Sequence, residues 1–103
     1  MNRDVRTTPE ADDQVRIIHG WWRQHRTAAP TLFLDELEAA LSLIGQAPDV
    51  GHSYRRSPIA GTRRVLLPRT RYHVYYVPRE DVVLVLAVWH AKRGSGPPLR
   101  LLC

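Results

Sequence analysis

The segment from Val82 to Trp89 constrains the fold of this chain more than any other stretch, because it is apolar on both of its alternating faces. Successive side chains of a strand point to opposite sides of the sheet, so a strand with this pattern is covered from both sides, or nearly so. The preceding segment alternates, with Arg71, His73, Tyr75 and Val77 on one face and Tyr72, Val74 and Tyr76 on the other. These adjoining strands need one covering layer and at least partial cover on the opposite face.

Two amphipathic helices precede these strands and can form the covering layer. Thr8 suits the cap of the first helix, and Pro9 suits its first position. The apolar stripe of this helix consists of Ala11, Val15, Ile18 and Trp22, and it is broadened by Ile17 and Trp21. Because the two tryptophans are adjacent, we expect one of them in the core and the other at the rim or in contact with a partner.

The second helix is predicted to open at Pro30 and to end near Gly45 and Pro48. Its inner face consists of Phe33, Leu37, Ala40, Leu41 and Ile44. Since the link between the helices is short, we expect an antiparallel helical hairpin. Residues 45–61 have the composition of a loop, and the three strand candidates that follow are 62–68, 71–78 and 81–90.

These elements predict an α+β fold in which an N-terminal strand and a helical hairpin pack on a small antiparallel sheet, in the order β-α-α-β-β-β. The N-terminal strand is expected within residues 3–8, RDVRTT. Residues 1–93 are predicted to form a single domain, and residues 94–103 a loose C-terminal tail. The helices can cover only one face of the sheet, so the tail, a second copy or a partner chain must shield part of the other.

The charge of the chain suits an acidic partner. Lysine and arginine number 15 against 10 aspartate and glutamate, the formal net charge is +5, and Lys92 is the only basic residue of the 15 that is not arginine. The planar guanidinium fits phosphates and carboxylates, which favours nucleic acid or an acidic protein. A GC-rich genome enriches arginine without any binding role, so the composition leaves both explanations open.

Other kinds of site are not expected. Cys103 is the only cysteine, which excludes an intrachain disulfide and a thiolate metal cluster. His19, His25 and His52 lack metal-ligand spacing with a carboxylate or thiol, so we expect no metal and no cofactor. The polar start and the lack of an apolar run of about 20 residues argue against a signal peptide and a membrane span. We therefore expect a cytoplasmic protein without membrane contact.

The ordered set of segments resembles the ParE/RelE superfamily of bacterial toxins. The opening TPEADDQVRII is similar to the first helix of that family, and FLDELEAALSLIGQAPDVG to its second helix with the exit that follows. GTRRVLL, YHVYYV and VLVLAVWHAKR resemble the three closing strands. The last of these ends in the histidine–two residues–arginine pattern of the family, at His90 and Arg93. The resemblance covers about residues 4–93.

The resemblance implies the toxin of a type II toxin–antitoxin system, with a role in plasmid stabilisation. Its partner would be a cognate antitoxin, a small DNA-binding protein of the ribbon-helix-helix or a similar class, in a toxin–antitoxin hetero-oligomer. ParE-like members inhibit growth through DNA gyrase, whereas RelE-like members cut messenger RNA on the ribosome. A non-toxic binding module of the same fold is a third alternative. Whether the chain is an enzyme depends on this choice, because only the RelE-like alternative is an endoribonuclease.

Cutting RNA through its own 2′-hydroxyl needs a base, an acid and cations around the phosphate. The candidates for such a site are Arg64, Arg71, His73, His90 and Arg93. The RelE branch typically uses several lysines or arginines and a late acid–base residue, but this chain has one lysine and no acid or base directly after Arg93 in GSGPPL. The ParE-like alternative is therefore favoured, and His90 is then a structural histidine.

The candidate contacts with an antitoxin or target are Trp21, Arg63, Arg64, Arg71, Tyr75, Trp89 and Arg93. We expect the antitoxin to supply an amphipathic, partly acidic segment whose carboxylates meet these arginines. Tyr72 and Tyr76 are interpreted as core residues with hydroxyls at the rim. The segment YRRSP, residues 54–58, is interpreted as a solvated basic turn.

Overall fold

The computed structural model of the protein describes residues 2–93 and 96–99. Its helices are α1, Pro9–His25, and α2, Leu32–Gln46. Its strands are β1, Asp4–Thr7; β2, His52–Ser53; β3, Arg63–Leu66; β4, Tyr72–Pro78; and β5, Val82–His90, with a 3₁₀ turn at Pro48–Val50 before β2. The predicted α+β class and order of elements are confirmed, and the short β2 lies within the predicted loop. Within the described ranges, no helix has the length and apolar character to cross a membrane.

The five strands form one sheet in the order β1-β5-β4-β3-β2. β5 therefore lies between two neighbours near the centre of the sheet, which accounts for its apolar character on both faces. β1 runs parallel to β5, with Asp4 opposite Val82 and Thr7 opposite Val85, and the other three pairs are antiparallel. The sheet is thus mixed rather than wholly antiparallel, because the chain passes through both helices between β1 and the remaining strands.

Both helices lie on one side of the sheet, which we call the helix face. Thr8 caps α1 as predicted, since its Oγ1 accepts a hydrogen bond from the Ala11 N–H at 3.1 Å. α2 begins at Leu32, two positions after the predicted Pro30, with Thr31 at the cap position. The N–H of Arg3 donates to the carbonyl oxygen of Gly45 at 2.9 Å, which joins the start of the chain to the end of α2.

The main hydrophobic core lies between the helices and the helix face. Its buried members are Ala11, Phe33, Leu37, Ala40, Ile44, Leu67, Val74, Tyr76, Val83, Val85 and Val88. Trp22 packs against this core while Trp21 remains 40% exposed, so the expected division between the two tryptophans is confirmed. The predicted stripes of both helices supply most of the helical contacts to this core, because residues spaced three and four apart share one helix face.

A β-bulge in β5 decides which side chains reach the opposite side of the sheet. Tyr75 pairs with Ala87, but Tyr76 pairs with Val85, so Leu86 is an extra residue on β5. Leu86 and Ala87 consequently pack in the same cluster on the second face, the side away from the helices. Beyond the bulge the alternation is reversed, which turns Val88 toward the helices and Trp89 toward the second face.

Part of the second face is covered by the chain itself. A smaller core there contains Tyr75, Val77, Leu86, Ala87 and Leu99, with Tyr54 and Ile59 packed against it. Leu99 comes from the segment predicted as a loose tail, and its side chain is only 7% exposed. Of that predicted tail, residues 94, 95 and 100–103 lie outside the described residues. The cover ends before the tips of β3, β4 and β5, where the second face remains open.

Two polar side chains attach loops to the sheet and to α2. The hydroxyl of Tyr76 donates to the carbonyl oxygen of Pro48 at 2.7 Å and accepts from the Gly51 N–H at 2.9 Å. Its ring is fully buried, and burial raises the pKa of Tyr76. Glu36 on α2 accepts hydrogen bonds at 2.8 Å from Arg69 N, Thr70 N and Thr70 Oγ1 in the β3–β4 turn. The hydrogen bonds of Tyr76 and Glu36 therefore fix the positions of β3 and β4, whose other side forms the open part of the second face.

Candidate functional site

A cleft of about 480 Å³ lies on the open part of the second face, where β3 and β5 end and β4 begins. Ser53 at the end of β2 and residues 54–56 form one wall, and the residues after β5 form the other. The side chains of this cleft are arginine, histidine or aromatic for the most part. They are Ser53, Tyr54, Arg55, Arg56, Arg64, His73, Tyr75, Trp89, His90, Ala91, Arg93 and Gly96. No carboxylate lines this cleft among the described residues.

At one end of the cleft, two tyrosines and an arginine contact one another. The ring centroids of Tyr54 and Tyr75 are 4.9 Å apart in an edge-to-face arrangement. The guanidinium of Arg64 lies 5.1 Å from the Tyr54 ring centroid, and its Nη1 donates to the Tyr75 hydroxyl at 3.2 Å. These contacts fix the direction of a cation on β3, so Arg64 enters the cleft in a defined position.

His73 lies in the middle of the cleft, opposite Trp89 in the β4–β5 pairing. Its ring centroid is 5.9 Å from that of Tyr75, which lies on the same face of β4. Burial of the ring, together with the charges of Arg64 and Arg71, lowers the pKa of His73 from its ordinary value. The imidazole is therefore neutral at neutral pH and can accept a proton when an anion enters the cleft.

His90 does not share this position. It pairs with Tyr72, whose ring packs on the helix face, and the two ring centroids are 4.9 Å apart. The Nδ1 atom of His90 accepts a hydrogen bond from the Lys92 N–H at 3.1 Å. His90 thus lies at the rim of the cleft, and its contacts are those of a structural residue. The two predicted histidines project to opposite sides of the sheet, a separation that only the strand register reveals.

Arg93 and Arg71 differ in their position relative to the cleft. Arg93 lies at the far wall of the cleft, with its guanidinium 4.1 Å from the Trp89 ring centroid. Arg71 does not line the cleft, although its charge reaches His73. Its φ is +69°, in the left-handed region that non-glycine residues seldom adopt, and its carbonyl oxygen accepts from the Ala91 N–H at 2.8 Å.

Arg63 is separated from the cleft by the sheet. It pairs with Tyr76, whose side chain is on the helix face, whereas its neighbour Arg64 pairs with Tyr75. The Nη1 atom of Arg63 donates to the carbonyl oxygens of Asp49 and Gly51. Arg63 therefore holds the 3₁₀ turn and is not brought together with the other predicted arginines.

A second concavity, which we call the groove, lies between α1, the start of β4 and the end of β5, with a volume of about 460 Å³. Its lining is mainly apolar and includes Ile17 and Trp21, which are 65% and 40% exposed. Trp21 stacks on His25 with the ring centroids 4.8 Å apart, so its orientation is fixed. Trp89, His90 and Arg93 line both the groove and the cleft, and the two concavities are therefore continuous.

Three charged or aromatic residues of the cleft are absent from the predicted set: Tyr54, Arg55 and Arg56. Arg55 and Arg56 form the exposed turn that the sequence indicated, but they also line the wall of the cleft, and Tyr54 is half-buried against Tyr75. A tyrosine next to two arginines is a signal of a basic, aromatic surface, and it was available in the printed sequence. Within residues 2–93 and 96–99, no three or more His, Cys, Asp or Glu side chains cluster in a way that could hold a metal ion.

Comparisons with known proteins agree with this architecture. The family described as "ParE toxin of type II toxin-antitoxin system, parDE" matches residues 5–94. A solved structure described as "Chromosomal ParDE TA system from P. aeruginosa" shares the fold with a TM-score of 0.70 at 12% identity, covering 87% of this chain and 97% of that chain. No curated protein sequence matches the chain. Because the family match spans most of its length, the chain belongs to the ParE toxin family of type II toxin–antitoxin systems.

Proposed function

We propose that this chain is a toxin that arrests growth by poisoning DNA gyrase, and that a cognate antitoxin neutralises it in a cytoplasmic hetero-oligomer. The observation that carries the proposal is a cleft rich in cations in which no acid–base pair converges. His73 enters the cleft, whereas His90 lies at its rim with its ring against Tyr72 and its Nδ1 accepting from the Lys92 N–H, and no described carboxylate lines the cleft. Such a site suits binding of an anionic target more than cleavage of one.

Self-cleavage of RNA requires one group that removes a proton from the 2′-hydroxyl and another that protonates the leaving oxygen. His73 can fill one of these roles, because its neutral imidazole can accept a proton. The second role would fall to His90 at the rim, whose Nδ1 already accepts a hydrogen bond from the Lys92 N–H, or to an arginine. The guanidinium stays protonated at any ordinary pH and does not exchange protons efficiently. The arrangement therefore supports the ParE-like function over the RelE-like endoribonuclease.

The groove supports the antitoxin part of the proposal. Ile17 and Trp21 offer exposed apolar surface on α1, and Arg93 offers a cation at the rim that the groove shares with the cleft. An amphipathic segment fits this surface if its apolar anchors enter the groove and its carboxylates reach Arg93 and then Arg64 in the cleft. We propose that a small ribbon-helix-helix protein, or a DNA-binding protein of similar size, carries this segment.

Expression of the chain in bacteria, with and without its antitoxin, tests the proposal. We expect growth arrest that the antitoxin reverses, and we expect the purified chain to stabilise cleaved DNA in complex with purified gyrase while leaving RNA intact. Arg64→Gln should weaken both effects. Arg79→Gln, which removes a cation from the distant turn between β4 and β5, is the matched control and should leave both unchanged.

Two outcomes would contradict the proposal. Cleavage of RNA by the purified chain, abolished by His73→Ala in a variant that still folds, would establish the endoribonuclease instead. A chain that binds its antitoxin but arrests no host on induction would be a non-toxic binding module. In either case the cleft would still be a binding site, but gyrase would not be its target.

A further inference from the structure

We propose that the cleft binds an unpaired stretch of polynucleotide, with arginines on its phosphates and bases stacked on its aromatic rings, and does not cut it. The inference deepens the proposed function, on which it rests, because it makes exposed DNA rather than the gyrase polypeptide the occupant of the cleft. The residues that carry it are Tyr54, Arg64, His73, Trp89 and Arg93. Each of the next steps uses a different property of these side chains.

The charges of the cleft are available to an anion. Four arginines line it, Arg55, Arg56, Arg64 and Arg93, and no carboxylate does so among the described residues. The three ion pairs found in that part of the chain involve Arg6, Arg16 and Arg63, all outside the cleft. Cations held without acidic partners in a concave site attract phosphates, and the binding that results weakens as salt rises.

Two aromatic rings of the cleft offer planes on which bases can stack. Tyr54 and Trp89 are half-buried, whereas Tyr75 is only 3% exposed and packs edge-to-face on Tyr54 as part of the smaller core. The guanidinium of Arg64 lies 5.1 Å from the Tyr54 ring centroid. The guanidinium of Arg93 over the Trp89 ring adds a further plane on which a base can stack.

The polynucleotide must be single-stranded for its bases to stack on these side chains. Bases in a duplex are stacked on each other and expose only their edges, whereas an unpaired strand offers base faces to aromatic side chains. Stacking accepts any base, because every base has a π-face, so the recognition should tolerate many sequences. An acidic protein segment would use the same cations, but it would gain nothing from the stacking planes.

His73 gives this site a second measurable property. The charged or titratable groups around it are Arg64 on β3, Arg71 before β4, and Tyr75, His90 and Arg93 along the cleft. In the free protein the arginines disfavour a charge on His73, but a bound phosphate would offset them and favour the imidazolium. Binding should therefore take up a proton, and the affinity should increase as pH falls through the titration of His73.

The test is fluorescence anisotropy with the purified full chain and a labelled oligothymidine of about ten nucleotides. We expect binding that exceeds that of a duplex and that of inorganic polyphosphate of equal charge. Trp89→Ala should weaken binding by about tenfold, the scale of one lost base stack. Leu43→Ala removes an exposed apolar side chain of α2, outside the cleft and the groove, and should leave binding unchanged. The affinity of the unsubstituted chain should rise from pH 8 to pH 6, and His73→Asn should flatten that dependence.

Equal binding of polyphosphate and oligothymidine would overturn the proposal, because charge alone would then explain the affinity. Equal affinities of the Trp89→Ala and unsubstituted chains would overturn it as well. An oligouridine of the same length, measured in parallel, separates RNA from DNA as the source of the strand, and cutting of that oligouridine would overturn the claim that binding occurs without cleavage. Gyrase poisoning without oligonucleotide binding would refute this inference alone, whereas binding without gyrase poisoning would refute the proposed function alone.

Discussion

The two faces of the sheet are built from alternate residues of the same strands, yet they differ in almost every physical property. On the helix face, Tyr76 is fully buried and its hydroxyl satisfies two backbone groups of the 3₁₀ turn. On the second face, its neighbour Tyr75 is 3% exposed against Tyr54, and its hydroxyl accepts a hydrogen bond from Arg64 at the cleft. The comparison shows that one position along a strand separates a tyrosine that holds a loop from a tyrosine that positions a cation of the cleft.

The arginines on β3 repeat this contrast. Arg63 donates to the carbonyl oxygens of Asp49 and Gly51 on one side, and Arg64 lies beside two tyrosine rings on the other. The two adjacent arginines therefore do not form one basic patch. Arg63 makes a structural contact, whereas Arg64 lines the cleft. The predictions below test whether the two faces separate experimentally as they do in space.

The largest expected effect comes from comparing a buried aromatic side chain of the core with an exposed one in the groove. Phe33 is fully buried on the helix face, with its ring centroid 5.1 Å from that of Tyr72. Phe33→Ala should reduce the free energy of unfolding by about 3–5 kcal/mol, because it removes buried apolar contacts and leaves a cavity. Trp21→Ala, at a 40% exposed residue, should cost less than about 1 kcal/mol. Urea denaturation measures both, and similar losses would mean that the groove is part of the core.

The adjacent tyrosines provide a closer test. Tyr76→Phe should reduce the free energy of unfolding by about 1–3 kcal/mol, because the buried Gly51 N–H and the Pro48 carbonyl lose their partner. Tyr75→Phe loses one hydrogen bond from Arg64 at a partly open site, and it should cost less than about 1 kcal/mol. Thermal unfolding of the two variants in parallel gives the difference, and a larger loss for Tyr75→Phe would reverse the assignment of the faces.

Glu36 tests the contact that holds the β3–β4 turn on α2. Partial burial acts to raise the pKa of Glu36, but hydrogen bonds from Arg69 N and from Thr70, with the charge of Arg69, outweigh burial and lower it. The folded-state pKa is thus below the ordinary value of 4.5, so the stabilisation is present above about pH 4.5 and is lost as pH falls through the folded-state pKa.

Glu36→Gln should accordingly destabilise the protein at neutral pH by about 1–2 kcal/mol, with the difference shrinking in acid. The matched variant is Glu38→Gln, which changes an exposed carboxylate on the same helix. Chemical denaturation at a series of pH values measures both variants. A constant difference between Glu36→Gln and the unsubstituted protein down to strongly acidic pH would show that the carboxylate charge is not what stabilises the turn.

Local sequence patterns were sufficient to predict the helices, their inner faces and the three long strands. The cap at Thr8, the α1 stripe and the doubly apolar β5 depend on residues near one another in the chain, where periodicity is informative. Strand register is different, because it depends on contacts between distant segments. The bulge at Leu86 turns Trp89 toward the cleft, and the printed sequence gives no local sign of it. The separation of His73 from His90 could not be predicted for the same reason. The separation of Arg63 from Arg64 is different, because neighbours on one predicted strand point to opposite faces whatever the register.

The smallest expected effect, and the most specific, is the titration of His73. Burial and the charges of Arg64 and Arg71 lower its pKa below the ordinary 6.5, so removal of either charge should raise the pKa. Titration of the imidazole signals by NMR in Arg64→Gln and Arg71→Gln measures the change, with Arg79→Gln as the control at the far end of the sheet. An unchanged pKa in both variants would mean that burial alone acts on His73. The imidazole would then be insensitive to the charges of the cleft, and the pH dependence expected for polynucleotide binding would lose its physical basis.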